Sequence, residues 1–408
     1  MIWRQEGNQL FSKALVVKHN WYSQMRVLMT IPGLSAKSGG PSTCTLDLME
    51  GLHDIGAKVD LLTVSSDDIL GHDRPWMKEV AYDYKTPLAI SRNIQRFIWQ
   101  NNYDLYHANS LWMGSTHDTC RIARKKNKPY ILSPHGMLYP TALAISSWKK
   151  KLLLHLGFKK DIMMATCLHA TCQQEAEHCR VFGYKGPIAV IPNAVVLPED
   201  VKLKTGIYRD ERGRRQIGFL GRLHPIKRVE QVLYALAILK DEGFEINEAL
   251  SFQIMGRYDE RYELWLNEEV KCLGLSDCVT FVGTVGGREK YERLTNLSAL
   301  MVPSTQENFG MIVPEALICG TPVYASLGTP WNELNECNAG WWRNNEPDTI
   351  AGVIKEILAL SDDELLSKGR NGRVLIEEKY EQHKVASMML QLYEWCLCGG
   401  KRPEYVST

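Results

Sequence analysis

Short apolar runs recur at 26–31, 58–64, 105–108, 130–133, 168–171 and 188–191, and again at 216–220, 252–255, 279–282 and 299–302. Between them lie longer stretches with apolar positions three and four residues apart. These fall near 41–56, 113–126, 141–157 and 173–182 in the first half, and near 227–241, 259–273 and 287–297 in the second. Continuous apolar runs predict strands buried on both faces, and the three–four spacing predicts helices that cover them. Further helices are expected near 348–360, 362–378 and 382–396. Such β–α alternation implies an α/β fold with parallel sheets. The stretch from Ile191-Pro192-Asn193-Ala194 to about Asp210 breaks the alternation and reads as an interdomain linker.

Length agrees with that division, because 408 residues exceed what one ordinary core organises. Hydrophobic residues at 45% and charged residues at 23% are the balance of a soluble globular protein. No apolar run approaches the roughly 18 residues of a membrane-spanning helix. Residues 1–24 lack clear periodicity and an apolar signal core, so a cytoplasmic location is expected and Met25 is a candidate start. Eleven cysteines without a repeating spacing indicate reduced thiols. Charge divides unevenly, with 23 Lys+Arg against 15 Asp+Glu up to residue 195 and 25 against 32 beyond it. Between Cys120 and Lys160 there are ten basic residues and no acidic one, a field suited to phosphate or anionic lipid.

The most informative string is 303–323, P-S-T-Q-E-N-F-G-M-I-V-P-E-A-L-I-C-G-T-P-V, read as strand end, loop, helix, glycine stop and strand. Glu307 lies in the loop and Glu315 about one turn into the helix. Between them Asn308, Phe309, Gly310 and Met311 lead into a helix N-terminus, where unpaired amides favour an anion. By spacing alone the two glutamates read as ordinary solvated acids beside a strand-loop-helix unit. The ordered string around them resembles the E-x7-E signature of retaining glycosyltransferases of GT-B architecture, family 4 in particular.

Other motifs bear on that resemblance. Gly221-Arg222-Leu223-His224-Pro225-Ile226-Lys227-Arg228 is similar to the family's G-R-L-x-x-x-K-G, with Arg228 where glycine is usual. The resemblance assigns Arg222 and Lys227 to the donor diphosphate. Ser133-Pro134-His135-Gly136-Met137 at a strand end resembles the P-H-G element, which makes His135 the donor-sugar contact beside the reacting carbon. His107 and Asn109 are weaker candidates for the acceptor side. The loop 32–41 does not fit G-x-G-x-x-G spacing, so a nicotinamide dinucleotide is disfavoured. In the resemblance Gly39 and Gly40 face the donor diphosphate. Cys167, His169, Cys172, His178 and Cys179 lack zinc-ligand spacing, and Thr171 with Gln174 reads as a helix capping box. No D-x-D occurs, which argues against the metal-dependent architecture of other glycosyltransferases.

The resemblance implies two Rossmann-like doubly wound parallel-sheet domains facing a cleft. An acceptor-side domain would cover 25–192 with a returning helix at about 381–398, and a nucleotide-sugar domain 193–380. Donor binding falls to Gly39, Gly40, Arg222, Lys227, Glu307, Asn308, Phe309, Gly310, Met311 and Glu315, and catalysis to His135, Glu307, Arg222 and Lys227. The substrate would be a UDP- or GDP-sugar, with no cofactor, no metal and no nucleic acid. The acceptor would be a growing glycan, lipid-linked, in bacterial capsule or O-antigen assembly. Segment 146–160, S-S-W-K-K-K-L-L-L-H-L-G-F-K-K, reads as an interfacial helix at an anionic membrane or as a plain amphipathic surface helix. A small soluble acceptor and a non-catalytic nucleotide-binding scaffold are the rival expectations.

Overall fold

The computed structural model describes residues 25–35, 40–83, 88, 90–256 and 260–408. Residues 1–24, on which the question of a start at Met25 turns, and Gly39 lie outside them. Contacts divide the chain into two compact units, one of residues up to Ala194 together with Gln382–Thr408, the other Val195–Glu381.

The first unit holds β1 (Arg26–Thr30), β2 (Lys58–Val64), β3 (Met77–Val80), β4 (Leu105–Asn109), β5 (Tyr130–Ser133), β6 (Cys167–Ala170), β7 (Ile188–Val190) and, at the chain's end, β14 (Val406–Ser407). Their order in the sheet is β14-β7-β6-β5-β4-β1-β2-β3. All neighbours are parallel except β14, which runs antiparallel to β7. Strands β4, β5 and β6 are buried at every position, as continuous apolar runs require when helices cover both faces. Helix Gln382–Cys398 returns to this unit and packs on helix Gly40–Asp54. A Cβ at Gly51 would lie 2.8 Å from the Gln382 side chain, so the two helices touch nearly backbone to backbone. Val385, Ala386, Met389 and Leu392 join the core with Val27, Met29 and Leu61.

The second unit holds β8 (Arg215–Leu220), β9 (Leu250–Met255), β10 (Val279–Gly283), β11 (Ala299–Val302), β12 (Val323–Ser326) and β13 (Gly340–Arg343), all parallel, in the order β10-β9-β8-β11-β12-β13. Both sheets are doubly wound. Each starts centrally, grows to one side, then resumes on the other, so the order reverses between β1 and β4 and again between β8 and β11. Crevices at the carboxyl ends of such reversal points are where open α/β sheets place ligands.

Three expectations need correction. The helix expected over 141–157 is broken into Pro140–Ala144, Ser147–Leu153, an irregular turn Leu154–Phe158 and Lys159–Met163. Ser146 (φ 51°) and Gly157 (φ 116°) take left-handed backbone and interrupt it. The helix expected from 227 instead begins at Val229, after a 3-10 turn at Pro225–Lys227. The capping box is not Thr171 with Gln174. Cys172 is the N-cap of helix Gln173–Val181, its sulfur accepting from the Glu175 amide, and the Glu175 carboxylate returns to Thr171.

Candidate functional site

In the second unit the sequence-predicted residues gather at the β8/β11 reversal. The loop after β8 carries Arg222 to Arg228, the loop after β11 carries Ser304 to Met311, and the loop after β12 adds Gly328. Backbone bonds lock the three together, Thr305 N–H donating to the Ile226 carbonyl (2.8 Å) and Glu307 N–H to the Gly328 carbonyl (2.9 Å). The approach is tight enough that a Cβ at Gly328 would sit 2.0 Å from the Thr305 carbonyl oxygen. Glu307 is 12% exposed and accepts from Ser304 Oγ (2.8 Å) and from the Lys227 ammonium. Neither is therefore a solvated surface charge. Lys227 closes the 3-10 turn, and the following Arg228 adopts the left-handed region at φ 55°, which explains why glycine is the usual residue there. Arg222 is exposed beside buried Leu223.

The helix of the signature runs Ile312–Ile318, with Met311 as its N-cap residue and Glu315 in its first turn. Glu315 pairs with Lys290 (2.8 Å). Gly310 is left-handed at φ 79°, which turns the chain into the helix. Phe309 does not present its ring to a ligand. It is 4% exposed, packs with Trp331 and Tyr380, and its carbonyl accepts from Trp331 Nε1 (2.5 Å). Its contribution to a donor site is confined to backbone.

In the first unit the P-H-G loop follows β5, next to the β1/β4 reversal. His135 and Gly136 are both left-handed, at φ 50° and 76°. Non-glycine residues seldom hold this conformation unless their surroundings enforce it. Here Gly136 N–H donates to the buried Glu175 carboxylate (2.5 Å), whose other oxygen accepts from Thr171 N–H (2.7 Å) and Oγ1 (3.0 Å). His135 Nε2 bonds Asn109 Oδ1 (2.9 Å), and burial lowers its pKa to about 3, so the ring is neutral. Glu175 was not singled out from sequence. Its signal was a helix-start acid directly after a buried strand.

His107, a candidate for the acceptor side, is instead fully buried in a hydrogen-bond relay. Tyr393 Oη donates to His107 Nδ1 (2.8 Å), His107 Nε2 to Ser133 Oγ (2.7 Å), Ser133 to His169 Nδ1 (2.7 Å), and His169 Nε2 to the Ile191 carbonyl (2.9 Å). The terminal carbonyl only accepts, which fixes every donor and both tautomers along the chain. Gly40 opens helix Gly40–Asp54, and among the described residues nothing lies within 4 Å of a would-be Cβ there.

Segment 146–160 turns Phe158 into the core, with Leu153 and Leu154 packed against it, and leaves its other apolar residues and their flanks outward. Ile145, Trp148, Leu152, Leu156 and Met164 are 53–69% exposed, among Lys149, Lys151, Lys159 and Lys160. Among the described residues no helix is long and apolar enough to cross a membrane, and no group of three His, Cys, Asp or Glu could hold a metal ion.

Residues 205–373 match the family described as glycosyl transferases group 1, and residues 39–194 the glycosyl transferase 4-like domain. A D-inositol 3-phosphate glycosyltransferase of Streptomyces avermitilis is 27% identical over 288 residues, 66% of this chain and 60% of that protein. A 2-deoxystreptamine glucosyltransferase of Streptomyces kanamyceticus is 27% identical over 217 residues, 51% of this chain and 54% of that protein. The chain thus spans less than two thirds of the length of these two curated relatives. It spans 94% of an uncharacterized glycosyltransferase of Methanocaldococcus jannaschii, at 24% identity over 87% of this chain. Sucrose-phosphate synthase from Thermosynechococcus elongatus superposes with a TM-score of 0.73 at 20% identity, covering 92% of this chain and 100% of that one. Anabaena HepE, solved in complex with UDP and glucose, gives 0.69 at 16% identity, covering 91% and 100%.

Proposed function

The chain belongs to the group 1 glycosyltransferases of GT-B fold, and from that premise we propose that it transfers a sugar, with retention, from a nucleoside diphosphate sugar to a glycan hydroxyl. The observation that carries this reading is the locked trio of Lys227, Glu307 and Ser304 at the β8/β11 reversal, next to the exposed Arg222. Lys227 and Arg222 offset the charge of the departing diphosphate, which lowers the barrier to its departure. Ser304 and Lys227 hold the Glu307 carboxylate in one orientation, ready to accept from donor-sugar hydroxyls. Glu315, one turn into its helix, takes ribose hydroxyls by exchanging its bond to Lys290. His135 is the proposed donor-sugar contact. No carboxylate base is assigned, because the departing phosphate takes the acceptor proton on the same face. No metal enters this scheme, since the two cations take up the diphosphate charge.

The acceptor proposed is a lipid-linked glycan of bacterial capsule or O-antigen assembly. The exposed Ile145, Trp148, Leu152, Leu156 and Met164 among lysines support it, since they suit peripheral contact with an anionic cytoplasmic membrane face. A small soluble acceptor is the second reading, favoured by the acceptors named for the two Streptomyces relatives.

A thermal-shift panel with UDP, GDP, ADP and NAD, each with and without EDTA, tests the donor. Stabilisation by one nucleoside diphosphate, unchanged by EDTA, is the expected result and identifies the base. Stabilisation by NAD alone, or by none of the four, would refute the reading.

A further inference from the structure

We propose that Asn109 is a positioning residue that holds His135 as the neutral Nε2–H tautomer, so that Nδ1 is the hydrogen-bond acceptor offered to a donor-sugar hydroxyl. This rests on the glycosyltransferase reading for the identity of the ligand, and on geometry for everything else.

Asn109 ends β4 at the reversal point of the first sheet and is 4% exposed. Its amide nitrogen faces the Thr30 carbonyl (3.4 Å), an acceptor, so its oxygen is the atom turned to His135. Its own carbonyl accepts from Thr116 Oγ1 (3.1 Å), which fixes the backbone from which the side chain extends. An amide oxygen has no hydrogen to give, so His135 Nε2 must carry one, and a neutral ring then leaves Nδ1 as its lone-pair nitrogen. The loop cannot slide away from this contact, because Gly136 N–H is tied to Glu175.

The choice of amide over carboxylate matters. A carboxylate at position 109 would lie within hydrogen-bond distance of the ring and favour imidazolium, in which both nitrogens donate. That would remove the acceptor. It would also set a cation beside a sugar carbon that becomes positive as the diphosphate leaves, given the oxocarbenium character of glycosyl transfer. The other ionisable groups facing His135 do not force a charge on it. His107 on β4 and His169 on β6 are kept neutral by burial, and Glu175 on the following helix is engaged by Gly136 and Thr171.

The test is a long-range ¹H–¹⁵N correlation on protein carrying ¹⁵N-histidine, with His135 assigned by the signal lost in His135→Gln. The expected spectrum of the wild type at pH 7 shows His135 as Nε2–H. Asn109→Asp should convert it to imidazolium, and Asn109→Leu should let the other tautomer appear. Unchanged His107 and His169 signals would show that each variant is folded. Wild-type His135 as imidazolium or as Nδ1–H would overturn the proposal.

A second arm measures the hydrolysis of UDP-glucose and GDP-mannose as donor probes. Asn109→Asp should lower kcat about tenfold at pH 7 with little change in KM, and the loss should shrink as pH rises and the ring deprotonates. Identical pH profiles for wild type and Asn109→Asp would also overturn it. If wild type hydrolyses neither probe and no nucleotide stabilises it, the functional reading fails, while the tautomer is still decided by the spectrum.

Discussion

Lys204 carries its ammonium into the interior of the second unit, 6% exposed, and donates to the Leu297 carbonyl (2.6 Å) and to Thr321 Oγ1 (3.1 Å). Burial lowers its pKa from 10.5 to about 7. Between those two values the unfolded chain binds the proton and the folded chain does not, so this group makes stability rise with pH across that window. Lys204→Met should remove up to about 1.4 kcal/mol per pH unit of that slope. Urea midpoints at pH 7, 8 and 9 for both proteins would show it, and parallel slopes would contradict the assignment. Nothing in the linker's composition announces Lys204, because a lysine in a polar stretch reads as solvated until its packing is known. The substitution of Arg228 for glycine was visible, but its left-handed backbone is a property of the folded loop. His135 stood out by its P-H-G context, whereas Asn109, which bonds its ring, and Glu175, which ties down the next residue Gly136, are 26 and 40 positions from it and are brought there only by the fold.

Elements were legible where burial is two-sided. Continuous apolar strands such as β4, β5 and β11 announce themselves. β3, at the sheet edge with the sequence Met-Lys-Glu-Val and only Met77 buried, carries no such pattern and went unseen, as did the two-residue β14. The long helix expected over 141–157 had the right apolar spacing, but left-handed Ser146 and Gly157 divide it. The signature loop between β11 and β12 makes a sharp prediction. Glu307→Gln keeps the shape and weakens the bond to Lys227, and donor turnover should fall about 100-fold with the fold intact, as judged by circular dichroism. A variant retaining wild-type turnover would remove Glu307 from the chemistry. For segment 146–160, the double variant Leu152→Asp with Leu156→Asp should abolish co-sedimentation with phosphatidylglycerol vesicles. Wild-type binding should weaken with salt, since lysines contribute to it. Wild-type protein that never sediments with these vesicles would rule out the membrane face.

At the scale of the whole molecule, the relay from Tyr393 to Ile191 spans the first unit beneath the P-H-G loop. Its histidines are uncharged, burial taking His169 to about 4 and His107 well below 6.5. As pH falls below 6.5 the unfolded chain gains protons on these rings and the folded chain does not. Stability should therefore drop between pH 6.5 and 4, and the fall in urea midpoint should be smaller for a His169→Gln variant. The two sheets and their linker were readable from alternation alone, but the relay was not. His107 and Tyr393 are 286 positions apart, and such a pair is assigned only once helix Gln382–Cys398 is seen to return. That return has a consequence during synthesis. A ribosome releases the second unit's entire sequence before the helix that completes the first core leaves the exit tunnel. Until then Val27, Met29 and Leu61 lack their covering Met389 and Leu392, and His107 lacks its phenol. The nascent first unit thus exposes an apolar face for the time taken to translate about 200 residues, on the order of 10–40 s at 5–20 residues per second, and is a natural client for chaperones.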